Sequence, residues 1–515
     1  MKRIIIGECD TKTDENLYFN DHAQLLEFLD HCDDDVALVD SRLMHHIDWN
    51  YVQALKLDFV HCGLSFASKE YFEILNFCST SWFFLHSSPL HSAVSWKATA
   101  HFIYIRKNRV KQVGGIDRQY DSIHAAMADL AYRILKAGGS VQFNPHILRD
   151  HSSIVKDVIT SSLNDQLHFI YKFIGRSALL YTKFFYLFNN PFQLNAWKAF
   201  MRSQKSGSKI KSSDLQNFDL TFAEKVKTVN TYTAIIPTIN RYDYLDKAIQ
   251  SLIETDFPPA EIIVVDQTPM QNRIAGYYDS FLKREDVKVV FLDTAGQSIS
   301  RNTAIDMASH EWIYMFDDDS VCWKECMREH RFLVEHSLAD CSTGLSLAPW
   351  KDVTYIDSTN SYYRLVDVLD TGNCFIKKAT LTTNGKLDSA FNKGPGVDDD
   401  LGRRLFLAGY NIVLNPKAIR THYKAKSGGL RQYGAWWNNK TTILGEFPPA
   451  TKAYSIQKFY KPKFRIPLYL QYFLAAKKRH STIEFFLLWI LAPYKLAKSI
   501  SKAKELAKIS NIPRQ

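Results

Sequence analysis

Asp317, Asp318 and Asp319 end the apolar run Trp312 to Phe316. Carboxylates set directly after a buried strand stand at the carboxyl edge of a sheet, where open α/β sheets bind ligands. Two of them one residue apart can reach one divalent cation from a tight turn. A cation so held would suit a departing diphosphate, although a triple Asp alone also reads as a solvated turn. A second acidic group, Asp398-Asp399-Asp400, is followed by Leu401, Gly402, Arg403 and Arg404. A carboxylate beside other carboxylates binds its proton more tightly, which suits a general base near neutral pH; the same residues could also cap a helix.

The surrounding pattern supplies elements to position these groups. Thr233 to Pro237 reads as a buried strand, and Tyr244, Leu245, Ala248, Ile249, Leu252 and Ile253 recur at helical spacing. Glu261 to Val265 and Val287 to Leu292 read as strands, and Gln271 to Lys283 and Ser298 to Ala308 as helices. The triple Asp then closes the fourth strand of a βαβαβαβ run, which predicts an α/β fold with a mostly parallel sheet.

The segments AIIPTINRYDYLDKAIQSL, EIIVVDQT, GQSISRNTAI and WIYMFDDDS, in this order, resemble glycosyltransferase family 2 enzymes of the GT-A (Rossmann-like) fold; the resemblance spans roughly Tyr232 to His422. It implies that Asp266 contacts the nucleotide base and that Asp317 and Asp319 hold Mn²⁺ or Mg²⁺ on a nucleotide-sugar diphosphate, with Asp318 facing the sugar or the backbone. Arg301 and Asn302 match a pair near the nucleotide-sugar, and Pro237, Thr238, Asn240 and Gln297 fall in the same donor-side motifs. Asp398 takes the catalytic-base position, with Val397 where the family carries an acidic residue. His422 stands where some members bind metal or diphosphate; it could equally be structural. Gly428 to Arg431 and Trp436-Trp437 could form an acceptor-side loop, but an aromatic pair is more often core.

At a constant offset of 271 residues, Gly114 to His151 aligns with Gly385 to His422 without a gap, with 11 identities in 38 positions. The identities include turn glycines, an Asn-Pro and a terminal His, so they specify a backbone path. Met127 and Ala128 stand opposite Asp398 and Asp399, and Val36 to Asp40 is followed by Ser41 and Arg42 rather than by a second Asp. Only Lys2 to Ile6 and a helical stretch, Ala23 to Leu29, fit before that strand. The expectation is a truncated, catalytically silent GT-A-like module; a second transferase with unconventional residues is the alternative. The expected organisation is this module over 1–200, a linker over 201–230 with its best candidate at Ser203 to Ser213, the catalytic domain over 231–450, and a basic helical tail over 451–515.

The formal net charge of +10 is uneven: residues 451–515 hold 14 Lys/Arg against Glu484 and Glu505, leaving −2 for the rest. In this tail Phe485 to Ala492 is continuously apolar, too short to span a bilayer but suited, with flanking lysines, to an anionic membrane surface. No nucleic-acid-binding motif accompanies the charge. Scattered cysteines and the absence of a leader at the first residues point to a cytoplasmic protein, peripheral at the membrane's cytoplasmic face. The expected activity is inverting transfer from a nucleotide-sugar donor to a saccharide or lipid-linked saccharide acceptor, in surface polysaccharide or glycolipid assembly. The alternative is a silent scaffold binding a partner enzyme. The sequence Thr238-Ile239-Asn240-Arg241 lacks the Gly-rich basic loop of a nucleotidyltransferase.

Overall fold

A computed structural model describes residues 1–6, 16–19, 22–62, 71–86, 91–149, 160–191, 218, 227–425, 445–477 and 481–512. His151, the Ser203 to Ser213 linker and the Gly428 and Trp436-Trp437 segment lie outside them. The chain divides into two compact units. One comprises Met1–Ala223, Ser361–Leu365 and Phe406–Asn411; the other comprises Glu224–Asn360, Val366–Leu405 and Ile412–Gln515. The basic tail therefore belongs to the second unit.

In the first unit, strands β1 (Lys2–Ile6), β2 (Asn16–Phe19), β3 (Val36–Asp40), β4 (Phe59–His61), β5 (Ala93–Val94), β6 (Phe102–Ile105) and β7 (Val141–Phe143) form a sheet ordered β2-β1-β3-β6-β4-β7-β5. The longer helices of this unit are α1 (His22–His31), α2 (Ile123–Lys136), α3 (Leu163–Phe169) and α4 (Arg176–Asn189). Sequence periodicity found one strand before β3, and the structure has two: β2 pairs in parallel with β1, Arg3 opposite Asn16. A four-residue strand whose last three side chains, Leu17, Tyr18 and Phe19, are all large is too short to show a period of two.

In the second unit, β8 (Tyr232–Thr238), β9 (Glu261–Asp266), β10 (Val287–Phe291), β11 (Trp312–Phe316), β12 (Ser320–Cys322), β13 (Cys341–Leu347), β15 (Asn373–Lys377) and β16 (Ile412–His422) are ordered β10-β9-β8-β11-β15-β13-β16-β12; the two-residue β14 (Arg364–Leu365), which precedes β15 in the chain, falls in the Ser361–Leu365 segment of the first unit. The first four strands are parallel. β15 runs antiparallel to both β11 and β13, so the sheet is mixed. Ile235, Ile236, Ile262 to Val265 and Ile313 to Phe316 are fully buried, as expected for strands covered on both faces. Helix α5 (Tyr242–Ile253) buries Leu245, Ala248, Ile249 and Leu252, one face at i, i+3, i+4 and i+7. The other helices of nine residues or more are α6 (Gln297–Met307), α7 (Cys326–His336), α8 (Val397–Leu407), α9 (Ala450–Phe459), α10 (Pro462–Ala476), α11 (Thr482–Ile490) and α12 (Ala492–Ile509).

The helix expected over Gln271 to Lys283 does not form; a short 3₁₀ turn, Met270–Asn272, and further turns replace it. Gly276 takes φ +69°, outside the helical region. The Arg273 guanidinium donates to Thr268 O at 2.8 Å, and the Tyr277 and Tyr278 hydroxyls donate to Asp246 and Asp266. Side-chain hydrogen bonds thus hold the segment in an irregular path that apolar spacing could not reveal.

Strand by strand, the two sheets share pairing senses along β2-β1-β3-β6-β4-β7-β5 and β9-β8-β11-β15-β13-β16-β12, the second having β10 as one further edge strand. Each unit also contains the same buried ion network. In the first, Arg133 Nε donates to Asp129 at 2.7 Å and Lys172 Nζ bridges Asp129 and Asp117 at 2.6 and 2.7 Å. In the second, Arg404 Nε donates to Asp400 at 2.8 Å and Lys458 Nζ bridges Asp400 and Asp388 at 2.7 and 2.9 Å. The arginines also donate to Gly115 O and Gly385 O of the preceding turns. Buried carboxylates require such partners, which explains why Asp117, Asp129 and Arg133 are among the repeat's identities.

Candidate functional site

β11 delivers the three aspartates to the carboxyl end of the parallel strands, and β16 brings Arg420 and His422 alongside through pairing with β12, His422 opposite Ser320. Asp317 accepts from Arg301 Nη2 at 2.7 Å and from Arg420 Nη1 at 2.8 Å. Burial pushes its carboxyl up, but the Arg420 and Arg301 charges prevail and hold it well below the usual range. Asp318 accepts from Thr238 Oγ1 and Arg241 Nη1, both at 2.8 Å; burial, with Asp319 beside it, raises it to about 6 against the pull of Arg241. Asp319 lies 3.2 Å from His422 Nε2, 3.3 Å from Arg241 Nη1, and accepts from the Ala425 N–H at 2.9 Å. Its burial is outweighed by the His422 hydrogen bond and Arg241, which lower its proton affinity.

Asp317, Asp319 and His422 offer ligand atoms that all lie within 4.8 Å of one another. Two carboxylate oxygens and an imidazole nitrogen form a donor set that suits Mn²⁺ or Mg²⁺, with coordination positions left for a diphosphate. The residues present thus fit the expected cation. Asp318 is not in this group.

Asp398 starts α8 and is half-buried. Thr371 Oγ1 and the Thr371 N–H donate to it, the latter at 3.3 Å. Burial first, and the Asp370 charge second, raise its carboxyl to about 6, with Thr371 opposing. Val397, where an acidic residue was expected, is 3% exposed and packs in the interior; a charge there would lose its hydration. Thr371 and the next residue, Gly372, join the two halves of the site. A Cβ at Gly372 would stand 2.0 Å from Asp317 Oδ2 and 2.3 Å from Arg420 Nη1.

Gly372→Ala is therefore expected to displace the Asp317–Arg420 pair, destabilising the fold by about 1–3 kcal/mol through overpacking. Misplacing the acidic cluster by an ångström should lower turnover roughly 10²-fold. Steady-state kinetics beside a urea melt checks both, and an unchanged rate would show that Asp317's position is not critical.

The other donor-side residues take several roles. Asp266 is fully buried: its Oδ2 accepts from the Tyr242 and Tyr278 hydroxyls at 2.8 and 2.9 Å, and its Oδ1 from Thr268 N–H at 2.8 Å. Asn302 exchanges two hydrogen bonds with the Leu387 backbone, and the Gln297 amide donates to Phe391 O and Gly394 O. These three side chains brace strand ends and loops. Pro237 is half-buried on β8, and Asn240, at φ +53°, donates its N–H to Thr268 Oγ1.

Sequence reasoning missed Arg241, Asp370, Thr371 and Arg420 as site residues. Arg420 is fully enclosed; it donates to Asp317, to both oxygens of Asp370 at 3.1 Å, to Ser320 Oγ and to Ser346 Oγ. The available signal was its identity with Arg149 in the repeat. In the first unit, Met127 and Ala128 are fully buried at the positions opposite Asp398 and Asp399, and the Asp40 carboxylate pairs with Arg42 at 2.7 Å.

Comparison with known proteins bears on the second unit. Over 120 residues the chain is 30% identical to the putative teichuronic acid biosynthesis glycosyltransferase TuaG of Bacillus subtilis, covering 22% of this chain and 46% of the relative. Over 179 residues it is 27% identical to the GalNAc(5)-diNAcBac-PP-undecaprenol β-1,3-glucosyltransferase of Campylobacter jejuni, covering 34% and 47%. The chain thus spans about half the length of these curated relatives. Among solved structures, the mannosyltransferase PcManGT from Pyrobaculum calidifontis, in complex with GDP-Man and Mn²⁺, matches with 15% identity and a TM-score of 0.35, over 63% of this chain and 96% of that one. Residues 233–348, from β8 through β13, match the model of glycosyl transferase family 2, so the strands that carry Asp266 and the triple Asp lie in a segment similar to that family, on a GT-A-like mixed sheet.

Proposed function

We propose that the second unit is an inverting, metal-dependent glycosyltransferase that moves a sugar from a nucleotide-sugar to a hydroxyl of a saccharide or lipid-linked saccharide during surface polysaccharide or glycolipid assembly. The observation that carries this reading is the bridge of Thr371 and Gly372, consecutive residues that touch Asp398 and stand against Asp317. It sets a carboxyl of raised proton affinity beside a two-carboxylate, one-imidazole cluster. The family 2 match over 233–348 and the printed activities of the curated relatives support the transferase class.

In this reading Asp398 takes the proton from the acceptor hydroxyl as its oxygen attacks the anomeric carbon, and the bond from that carbon to the diphosphate oxygen breaks in the same displacement. Asp317, Asp319 and His422 would hold Mn²⁺ or Mg²⁺, which when bound supplies charge neutralisation for the diphosphate. Arg301 and Arg420 fix the Asp317 carboxylate, and Arg241 fixes Asp318 and Asp319. Asp266 orders the nucleotide side through its two tyrosines, with Pro237, Thr238, Asn240, Gln297, Arg301 and Asn302 shaping the donor face. Residues 1–200 are a truncated GT-A-like copy without catalytic groups, supported by the shared strand senses and ion network. Residues 451–515 face an anionic membrane surface at its cytoplasmic side.

Transfer is tested by incubating the full chain with a panel of nucleotide-sugars and saccharide acceptors and measuring nucleoside diphosphate release that requires both substrates. Because Asp398 must be ionised to accept a proton, the rate should rise with pH through about 6 and level off above it. A rate that falls as pH rises through that window would remove Asp398 as the base.

A further inference from the structure

Helix α11 is apolar almost all round, yet only one of its sides is covered. Phe485, Leu488 and Trp489, with Ala492 of the next helix, pack in a cluster with Phe447 and Phe473. Opposite them Ile483, Phe486, Leu487 and Ile490, at i, i+3, i+4 and i+7, are 75, 67, 45 and 59% exposed. Tyr494, one turn further, is 49% exposed. Single exposed apolar residues are ordinary, but four on successive turns of one helix face mark an interaction surface.

The charge around this face selects its partner. The one acidic residue on α11, Glu484, is used in a capping box with Ser481 at the helix start. The following helix carries exposed Lys504 and Lys508, and Lys498 Nζ lies 5.9 Å from the centroid of the Tyr494 ring. Residues 451–515 together bear +12, although Lys458 is engaged by Asp388 and Asp400 and Lys502 by Glu446. Among the described residues no helix is long and apolar enough to cross a membrane. An apolar helix face followed in the chain by a lysine-bearing helix matches the headgroup layer of an anionic bilayer, where apolar side chains enter the acyl boundary and lysines meet lipid phosphates.

We propose that Ile483, Phe486, Leu487 and Ile490 form a membrane-docking face that inserts in the plane of an anionic lipid surface. This deepens the reading of the basic tail under the proposed function by naming the face that inserts. Insertion adds no covalent step, and the apolar contact and the lysines contribute separately.

The test is flotation of the full chain with phosphatidylcholine vesicles, with and without phosphatidylglycerol. The wild type should float with the phosphatidylglycerol-containing vesicles, and F486S/I490S should bind them roughly tenfold or more weakly. K504E/K508E should weaken binding at low salt and have less effect at high salt. Hydrogen exchange of the wild-type segment 481–494, slowed on adding vesicles, gives the same reading without any variant. Wild type that stays with the protein-only fraction, or F486S/I490S that floats unchanged, overturns the proposal. A wild-type dimer in solution that F486S/I490S converts to monomer, with no vesicle binding by either, would assign the face to a second copy and also overturn it. Flotation uses neither donor nor acceptor, so a chain that floats but transfers no sugar would sink the transferase reading and leave this face in place.

Discussion

Asp398→Asn is expected to lower sugar transfer by roughly 10²–10⁴-fold while leaving nucleotide-sugar binding nearly unchanged, the range for loss of a positioned general base. Asn keeps the volume and can still accept from Thr371, so the bridge to Gly372 and Asp317 survives. The folded carboxyl, at about 6, lies above its ordinary value because of burial and the Asp370 charge. Its contribution to stability is therefore full below the unfolded carboxyl range and is lost as pH rises through about 6. Above that window the Asn variant should melt a few degrees higher than the wild type; near pH 4 the two should coincide. Lower melting at neutral pH, or transfer within a few-fold of wild type, would contradict the assignment of Asp398 as the base.

Arg420→Met should give the largest stability loss in the site, about 3–5 kcal/mol, the cost of leaving buried carboxylates without their partner. The guanidinium forks between Asp317 and Asp370 and also donates to Ser320 and Ser346. A Lys offers one compact charge and cannot span both carboxylates, so Arg420→Lys should recover only part of the loss. With Arg301 alone left on Asp317, that carboxyl should move up toward the usual range, shifting the low-pH limb of nucleotide binding upward. Urea denaturation and pH-dependent nucleotide binding measure the two effects. A melt indistinguishable from wild type would show that Arg420 is not the keystone of the cluster.

Strand β11 and its aspartates were legible in the sequence because a five-residue apolar run ending in charge has no other comfortable placement in a parallel sheet. Helices α5 and α6 were legible within one or two residues, α5 from apolar spacing set by one buried face, whereas for α8 the sequence offered only acidic residues that could cap a helix start. Arg241, Asp370 and Thr371 were not, since their roles exist only where separate strand ends converge. Asp266 shows the opposite limit: the motif located it, but its enclosure by Tyr242 and Tyr278 depends on the irregular segment after Pro269 that periodicity read as helix. The buried ion networks were half visible, since Asp117, Asp129 and Arg133 recur in the repeat while Lys172 and Lys458 lie outside the aligned block.

The most direct test is thermal stabilisation of the full chain by nucleoside diphosphates and nucleotide-sugars with Mn²⁺, comparing wild type with an Asp317→Ala, Asp319→Ala double variant. A Mn²⁺-dependent rise for one nucleotide base, absent in a double variant shown to be folded, is the predicted result. No rise with any nucleotide in folded wild type would contradict the account and favour a scaffold that binds a partner enzyme.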